Sequence, residues 1–199
     1  MDIYNIIPVQ VYERMKAHAA KVHADVNQKY DNLEYSYHLF SVAEQTITLL
    51  MNYYADECPI DDTDARTVII FAALFHDSIE DARLTYNDVH KIALTYMEDP
   101  YAIEAAEIVY ALTNEKGRTR AERANEKYYE GIRNTKYAVI IKIADRLSNV
   151  RYSREKGSGM YHKYMAEMDH FIESLAGPGN ESGAQHIRNI IYSALDTNK

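Results

Sequence analysis

The run Val68-Ile69-Ile70-Phe71-Ala72-Ala73-Leu74-Phe75 constrains this chain more than any other segment. It lies within residues 64–76, a helix-length stretch that is apolar nearly all round, and such a helix is stable only when other elements enclose it. The rest of the chain must therefore wrap this segment. The run ends in His76-Asp77, with Glu80 and Asp81 close behind. A His-Asp pair carried into an apolar interior is costly unless something there compensates its charge. A divalent cation is the simplest compensation.

The surrounding sequence has helical period. Leu39, Val42, Ala43, Ile47 and Leu50 recur at three and four, which predicts a helix over 37–57. Residues 58–63 end it, with Asp or Thr available to cap the helix at 64–76. Thr85 is the expected N-cap of a helix to Met97, and Pro100 suits the first turn of a helix to Leu112. Residues 119–132 are polar enough for one surface helix. Residues 136–153 read as a second interior helix, with further helices expected at 160–175 and 184–196 around Gly/Pro breaks. The fold class is all-α, a helical bundle of about eight or nine helices in one domain.

Charge and cysteine usage exclude several functions. With 199 residues and a net charge of −8, the chain lacks the broad basic surface of a general nucleic-acid binder. A phosphate-bearing ligand would have to be met by a local cluster of Lys, Arg and metal. The single cysteine, Cys58, forms no internal disulfide and fits a reducing compartment. The first residues show neither a basic n-region nor a long apolar core, and no stretch is long and apolar enough to span a membrane. The expected setting is cytoplasmic, with no membrane or nucleic-acid partner; oligomeric state is not readable.

Three polar positions interrupt the apolar helices: His38 near the start of one, His76-Asp77 at the end of another, and Asp145 inside a third. Two imidazoles and two carboxylates form a mixed N/O set suited to Mn²⁺, Fe²⁺ or Zn²⁺ rather than Ca²⁺. Adjacent helical residues diverge, so His76 and Asp77 share an ion only if it lies in the groove they straddle. The alternatives are a buried hydrogen-bonded trio without metal, and a structural role for His38. Glu80-Asp81 could equally be a solvated helix end.

These residues resemble the metal-dependent HD phosphohydrolase superfamily. Within it, Phe71-Ala-Ala-Leu-Phe-His76-Asp77-Ser-Ile-Glu80-Asp81 is similar to the HDxxED signature of the RelA/SpoT hydrolase domain. Ile141-Lys-Ile-Ala-Asp145-Arg-Leu-Ser-Asn149-Val-Arg151 is similar to its K-x-A-D-R-L-x-N-x-R segment, and Tyr35-Ser36-Tyr37-His38 to the stretch that carries its first His. The resemblance covers roughly residues 15–175 and implies a stand-alone HD hydrolase domain spanning residues 1–199. It implies that His38, His76, Asp77 and Asp145 bind Mn²⁺ and that Glu80 and Asp81 orient or deprotonate the attacking water. The implied reaction removes pyrophosphate from the 3′ position of guanosine tetra- or pentaphosphate, the stringent-response alarmone. Asn149 matches a position that contacts the nucleotide, and Lys142 and Arg146 flank it to meet phosphates.

The chain departs from that family upstream of His38. Where the family carries an Arg-Lys pair that packs on the purine, this chain reads Asn27-Gln28-Lys29-Tyr30, leaving Lys29 as a cation and Tyr30 as a ring for stacking. Hydrolysis of another nucleotide, or a non-catalytic nucleotide-binding module, therefore stands beside the principal reading. The basic run Lys116, Arg118, Arg120, Arg123 and Lys127 reads as a solvated face paired with Glu122 and Glu126. The remaining histidines, His23 among them, have no partner spacing, and Cys58 is expected to be inert.

Overall fold

A computed structural model describes residues 7–56 and 62–196, with Arg120 and Ala121 described by backbone alone. Cys58, the first residues and the break at 58–61 lie outside the described residues. Helix α3 (Thr63–Phe75) is the centre of the fold, and every residue from Ala65 to Phe75 is buried. Asp62 caps it, its carboxylate accepting from Ala65 N at 2.9 Å. Phe71 and Phe75 stack inside the bundle at 4.4 Å between centroids. Each such side chain contributes about 1.5–3 kcal/mol by leaving water.

Helices α2 (Ser36–Tyr53) and α8 (Ala138–Glu155) pack on one another, and both touch α3. Helix α5 (Asp99–Leu112) covers another face of α3, with α4 (Tyr86–Ala93) packed outside it. Thr85 caps α4 through a reciprocal box with Asp88, and Pro100 sits in the first turn of α5, as their sequences anticipate. Helix α11 (Glu181–Asp196) closes the bundle against α8 and α10 (Met168–Ala176). One contiguous set of buried apolar residues runs from Ile7 to Leu195. Among the described residues no helix is long and apolar enough to cross a membrane.

The all-α expectation holds, with more and shorter helices than the periodicity suggests. Helix α1 (Val9–Ala24) goes beyond the sequence expectation: its buried stripe, Tyr12, Met15, Ala19 and His23, is short and ends in a polar imidazole. The single surface helix expected at 119–132 is two, α6 (Arg120–Arg123) and α7 (Glu126–Asn134). Asn125 separates them by capping α7, accepting from Tyr128 N at 3.0 Å. Nor is α7 wholly on the surface, since Tyr128, Tyr129 and Ile132 are buried. The helix expected at 160–175 is likewise divided into α9 (Gly159–Ala166) and α10, at Glu167. A two-stranded antiparallel hairpin, β1 (Lys29–Tyr30) and β2 (Leu33–Glu34), joins α1 to α2, turning through Asp31 at φ 58°.

Candidate metal centre

Helix α3 ends at Phe75, yet the chain stays coiled. Ser78 N donates to Phe75 O at 2.9 Å and Asp81 N to Asp77 O at 2.8 Å. Asp81 thus follows Asp77 by one helical turn. His76 Nδ1 lies 2.9 Å from Ala73 O; a carbonyl can only accept, so Nδ1 carries the proton and Nε2 keeps its lone pair. That nitrogen is buried without a hydrogen-bond partner, 3.0 Å from Asp77 Oδ2.

Helix α2 delivers His38, whose Nε2 lies 3.5 Å from Asp77 Oδ2. One donor atom each from His38, His76 and Asp77 falls within 4.8 Å of the others. Among the described residues no other group of His, Cys, Asp and Glu donors meets this way. The donor set fits a divalent cation. Three lone-pair donors face each other, one is orphaned in the interior, and His76 is held by a carbonyl as metal-bound imidazoles are. Asp145, from α8, stands beside this group with Oδ1 3.4 Å from His38 Nε2.

Asp145 is also tied to its own helix. Lys142 Nζ donates to its Oδ2 at 3.0 Å and Asn149 Nδ2 to its Oδ1 at 2.6 Å. Asn149 Oδ1 in turn accepts from Tyr30 Oη at 2.8 Å. Tyr30 lies flat on His38, 4.7 Å between centroids and 12° between planes. The chain Tyr30–Asn149–Asp145–Lys142 therefore borders the candidate metal site on the side of α8. Both polar atoms of the Asn149 amide are engaged by protein.

On the opposite side stand Glu80 and Asp81. Glu80 Oε2 accepts from Asn114 Nδ2 at 2.7 Å, and its other oxygen lies 3.8 Å from Arg123 Nη1. Asp81 Oδ2 accepts from Tyr35 Oη at 2.5 Å, and the same hydroxyl lies 2.6 Å from Asp77 Oδ2. Burial pushes the Asp81 carboxyl upward, and the charges of Asp77 and Glu80 add to this while the Tyr35 hydrogen bond opposes it.

In the candidate ligand group, carboxylates and imidazoles stabilise one another's charged forms. Burial disfavours the Asp77 carboxylate, but His76 and His38 outweigh it and hold the carboxyl well below the usual range. Burial likewise works against a charged His38. Hydrogen bonds and charge from Asp145 and Asp77 prevail and raise it to about 9. Burial also opposes the Asp145 carboxylate, and Lys142 and His38 reverse this, pulling it down. The Asp77 and Asp145 carboxylates thus favour the charged form of His38, as Lys142 favours that of Asp145.

A cleft of about 620 Å³ opens over this end of the bundle. It is lined by Tyr30, His38, Asp77, Glu80, Asp81, Lys142, Asp145, Arg146 and Asn149, while His76 is buried behind it. Lys29 does not line it; its ammonium pairs with Glu34 Oε1 at 2.5 Å on the exposed hairpin. Arg146 is buried, its guanidinium 4.3 Å from the Phe171 ring centroid and 3.7 Å from Glu167 Oε2. Sequence reasoning did not assign Asn114, Tyr128, Lys163 or Phe171, which also line the cleft. It placed Arg123 on a solvated face, whereas Arg123 lines the cleft near Glu80. Lys127 does pair on the surface, with Glu115 rather than Glu122 or Glu126. Tyr35, Asn114 and Phe171 carry no pattern of charge or period that separates them from ordinary core or turn residues.

Comparison with known proteins places these residues in context. The family model described as HD domain matches residues 35–150, which include His38, His76, Asp77, Asp145 and Asn149. The guanosine-3′,5′-bis(diphosphate) 3′-pyrophosphohydrolase MESH1 of Danio rerio is 30% identical over 83 residues, 42% of this chain and 42% of that protein. The chain thus matches less than half the length of this curated relative. A solved structure, described as a metazoan ortholog of SpoT that hydrolyzes ppGpp and plays a role in starvation responses, superposes with a TM-score of 0.60. It covers 94% of this chain and 97% of its own at 21% identity, a likeness of fold.

Proposed function

The chain belongs to the HD domain family, and from that premise we propose that it is a Mn²⁺-dependent pyrophosphohydrolase acting on guanosine 3′,5′-bis(diphosphate). The observation that carries this reading is the convergence of His38, His76 and Asp77 donors at the floor of a cleft whose wall holds Glu80 and Asp81. The likeness to MESH1, whose name states this reaction, supports the choice of substrate.

In this reading His38, His76 and Asp77 hold the ion, with Asp145 as a fourth ligand from α8. A divalent ion there supplies Lewis-acid polarisation of a phosphoryl oxygen and acidifies water. Asp81, with its raised carboxyl, accepts the proton of the attacking water, and Glu80, braced by Asn114, orients that water. The water oxygen joins the 3′-linked phosphorus, the bond from that phosphorus to the 3′ oxygen breaks, and the 3′ oxygen takes a proton. The products are GDP and pyrophosphate. Lys142 and Arg146 set a positive wall on α8, and Asn149 orients Asp145. The whole chain acts as one HD domain in a cytoplasmic, reducing setting.

One observation favours a second substrate. Lys29 points to Glu34 outside the cleft, and the Tyr30 ring is already stacked on His38 and close to Tyr152. The purine-packing end is therefore built differently from the family pattern, which fits hydrolysis of another phosphorylated nucleotide by the same centre. Purified protein with Mn²⁺ is assayed against ppGpp and a nucleotide panel. Release of GDP and pyrophosphate is expected; cleavage of another nucleotide with none of ppGpp selects the second reading.

A further inference from the structure

Asp77 and Asp81 hold different tasks in the proposed reaction, yet one hydroxyl joins them. Tyr35 Oη lies 2.6 Å from Asp77 Oδ2 and 2.5 Å from Asp81 Oδ2. A phenol carries a single proton, so two carboxylates that would repel one another share one donor. The backbone bond from Asp81 N to Asp77 O fixes their main chains; the hydroxyl fixes their side chains.

The Tyr35 ring is itself held on several sides. His23 lies flat against it at 4.5 Å and 5° between planes, and Tyr30 and His38 meet it edge-on at 6.2 and 5.7 Å. His23 is 1% exposed, and neither of its ring nitrogens has a hydrogen-bond partner. A buried polar group left unsatisfied is costly and calls for a reason. Where it stands, the flat face of this imidazole backs the Tyr35 ring.

We infer that Tyr35, backed by His23, is a positioning residue whose hydroxyl sets the orientation of the Asp77 ligand carboxylate and the Asp81 proton-accepting carboxylate relative to each other. The inference rests on the metal-dependent hydrolase reading above. Tyr35 acts through these two side chains.

Tyr35→Phe keeps the ring and its stack while removing the shared donor. The test titrates metal-free parent and variant with Mn²⁺, following the free ion by its paramagnetic resonance signal, and measures kcat, KM and the metal-free unfolding midpoint. Outer-shell partners of metal ligands are worth about 10–100-fold. The expected result is a loss of at least about tenfold in ion affinity, or in kcat at unchanged KM, with the midpoint near the parent value. Affinity and kcat both within about twofold of the parent overturn the inference. So does a loss of both that only tracks the unfolded fraction. His23→Ala leaves the carboxylate contacts untouched and should give a smaller loss in the same direction; it decides the matter if Tyr35→Phe does not fold. The titration needs no substrate. A parent that binds the ion but cleaves no ppGpp defeats the substrate assignment alone, and a parent that binds no ion defeats this inference as well.

Discussion

Glu80 and Asp145 carry negative charge beside the same cleft, yet their surroundings assign them opposite sensitivities. Glu80 is held by Asn114 and Arg123, away from the ligand group, so its loss should spare the ion. Glu80→Ala is expected to retain manganese at parent stoichiometry while kcat falls about a hundredfold, the usual size of lost acid–base help. A near-normal rate would remove Glu80 from the mechanism. Asp145 is the counter-charge of the half-buried Lys142 and a neighbour of His38. Removing one partner of a largely enclosed ion pair leaves the other uncompensated, so Asp145→Ala should cost about 1–3 kcal/mol in urea unfolding as well as weakening the ion. Lys142→Met in the same background should restore part of that stability without restoring the ion. No recovery would show that the pair does not set the cost. His76, Asp77 and Asp145 stand out in the sequence because charge in an apolar run is anomalous, and the structure brings them together around His38. Tyr35 stands in the stretch leading to His38, but the task of its hydroxyl is invisible there until it is seen between two carboxylates. The bond from Tyr30 to Asn149 spans 119 residues, a distance no local pattern encodes.

At the level of elements, apolar content and helical period mark the helices that build the site. Helix α3 was legible because Ala65 to Phe75 has no polar face to leave outside, and α8 because its apolar run continues past Asp145. The breaks were legible only where a breaker stands. Glu167 separates α9 from α10 with ordinary right-handed angles, φ −86° and ψ −5°, and nothing in its side chain announces an end. Asn125 is a good cap that polar neighbours conceal. The cap of α3 has a functional consequence, since this helix carries His76 and Asp77 at its far end. Asp62→Ala removes the bond to Ala65 N and should lower stability by about 1 kcal/mol. Because the far end of α3 is fixed by burial rather than by the cap, ion affinity should not change. A parallel fall in affinity, measured on the same preparation, would mean that fraying reaches the site.

Across the whole molecule, an ion held by His38, His76 and Asp77 would link metal binding to stability through pH. In the metal-free protein the His38 pKa is raised to about 9 from an ordinary value of 6.5. The folded state then binds a proton that the unfolded chain releases between these limits. This contribution to stability is fully present below 6.5 and is lost as pH rises through about 9. Metal works against the same proton, because a ligating imidazole must be neutral. The ion should bind more tightly as pH rises through this window, with proton release diminishing toward its upper end. Ion binding raises the unfolding midpoint in proportion to affinity at fixed concentration. Two thermal unfolding series over this window should therefore diverge: the metal-free midpoint falls with pH, while the shift produced by a fixed excess of Mn²⁺ grows. His38→Gln, which cannot take up the proton, should flatten the metal-free series and abolish most of the shift. If the parent's metal-free midpoint instead holds constant across the window, His38 does not carry the proton that the Asp77 and Asp145 carboxylates demand, and the ion does not compete for that position.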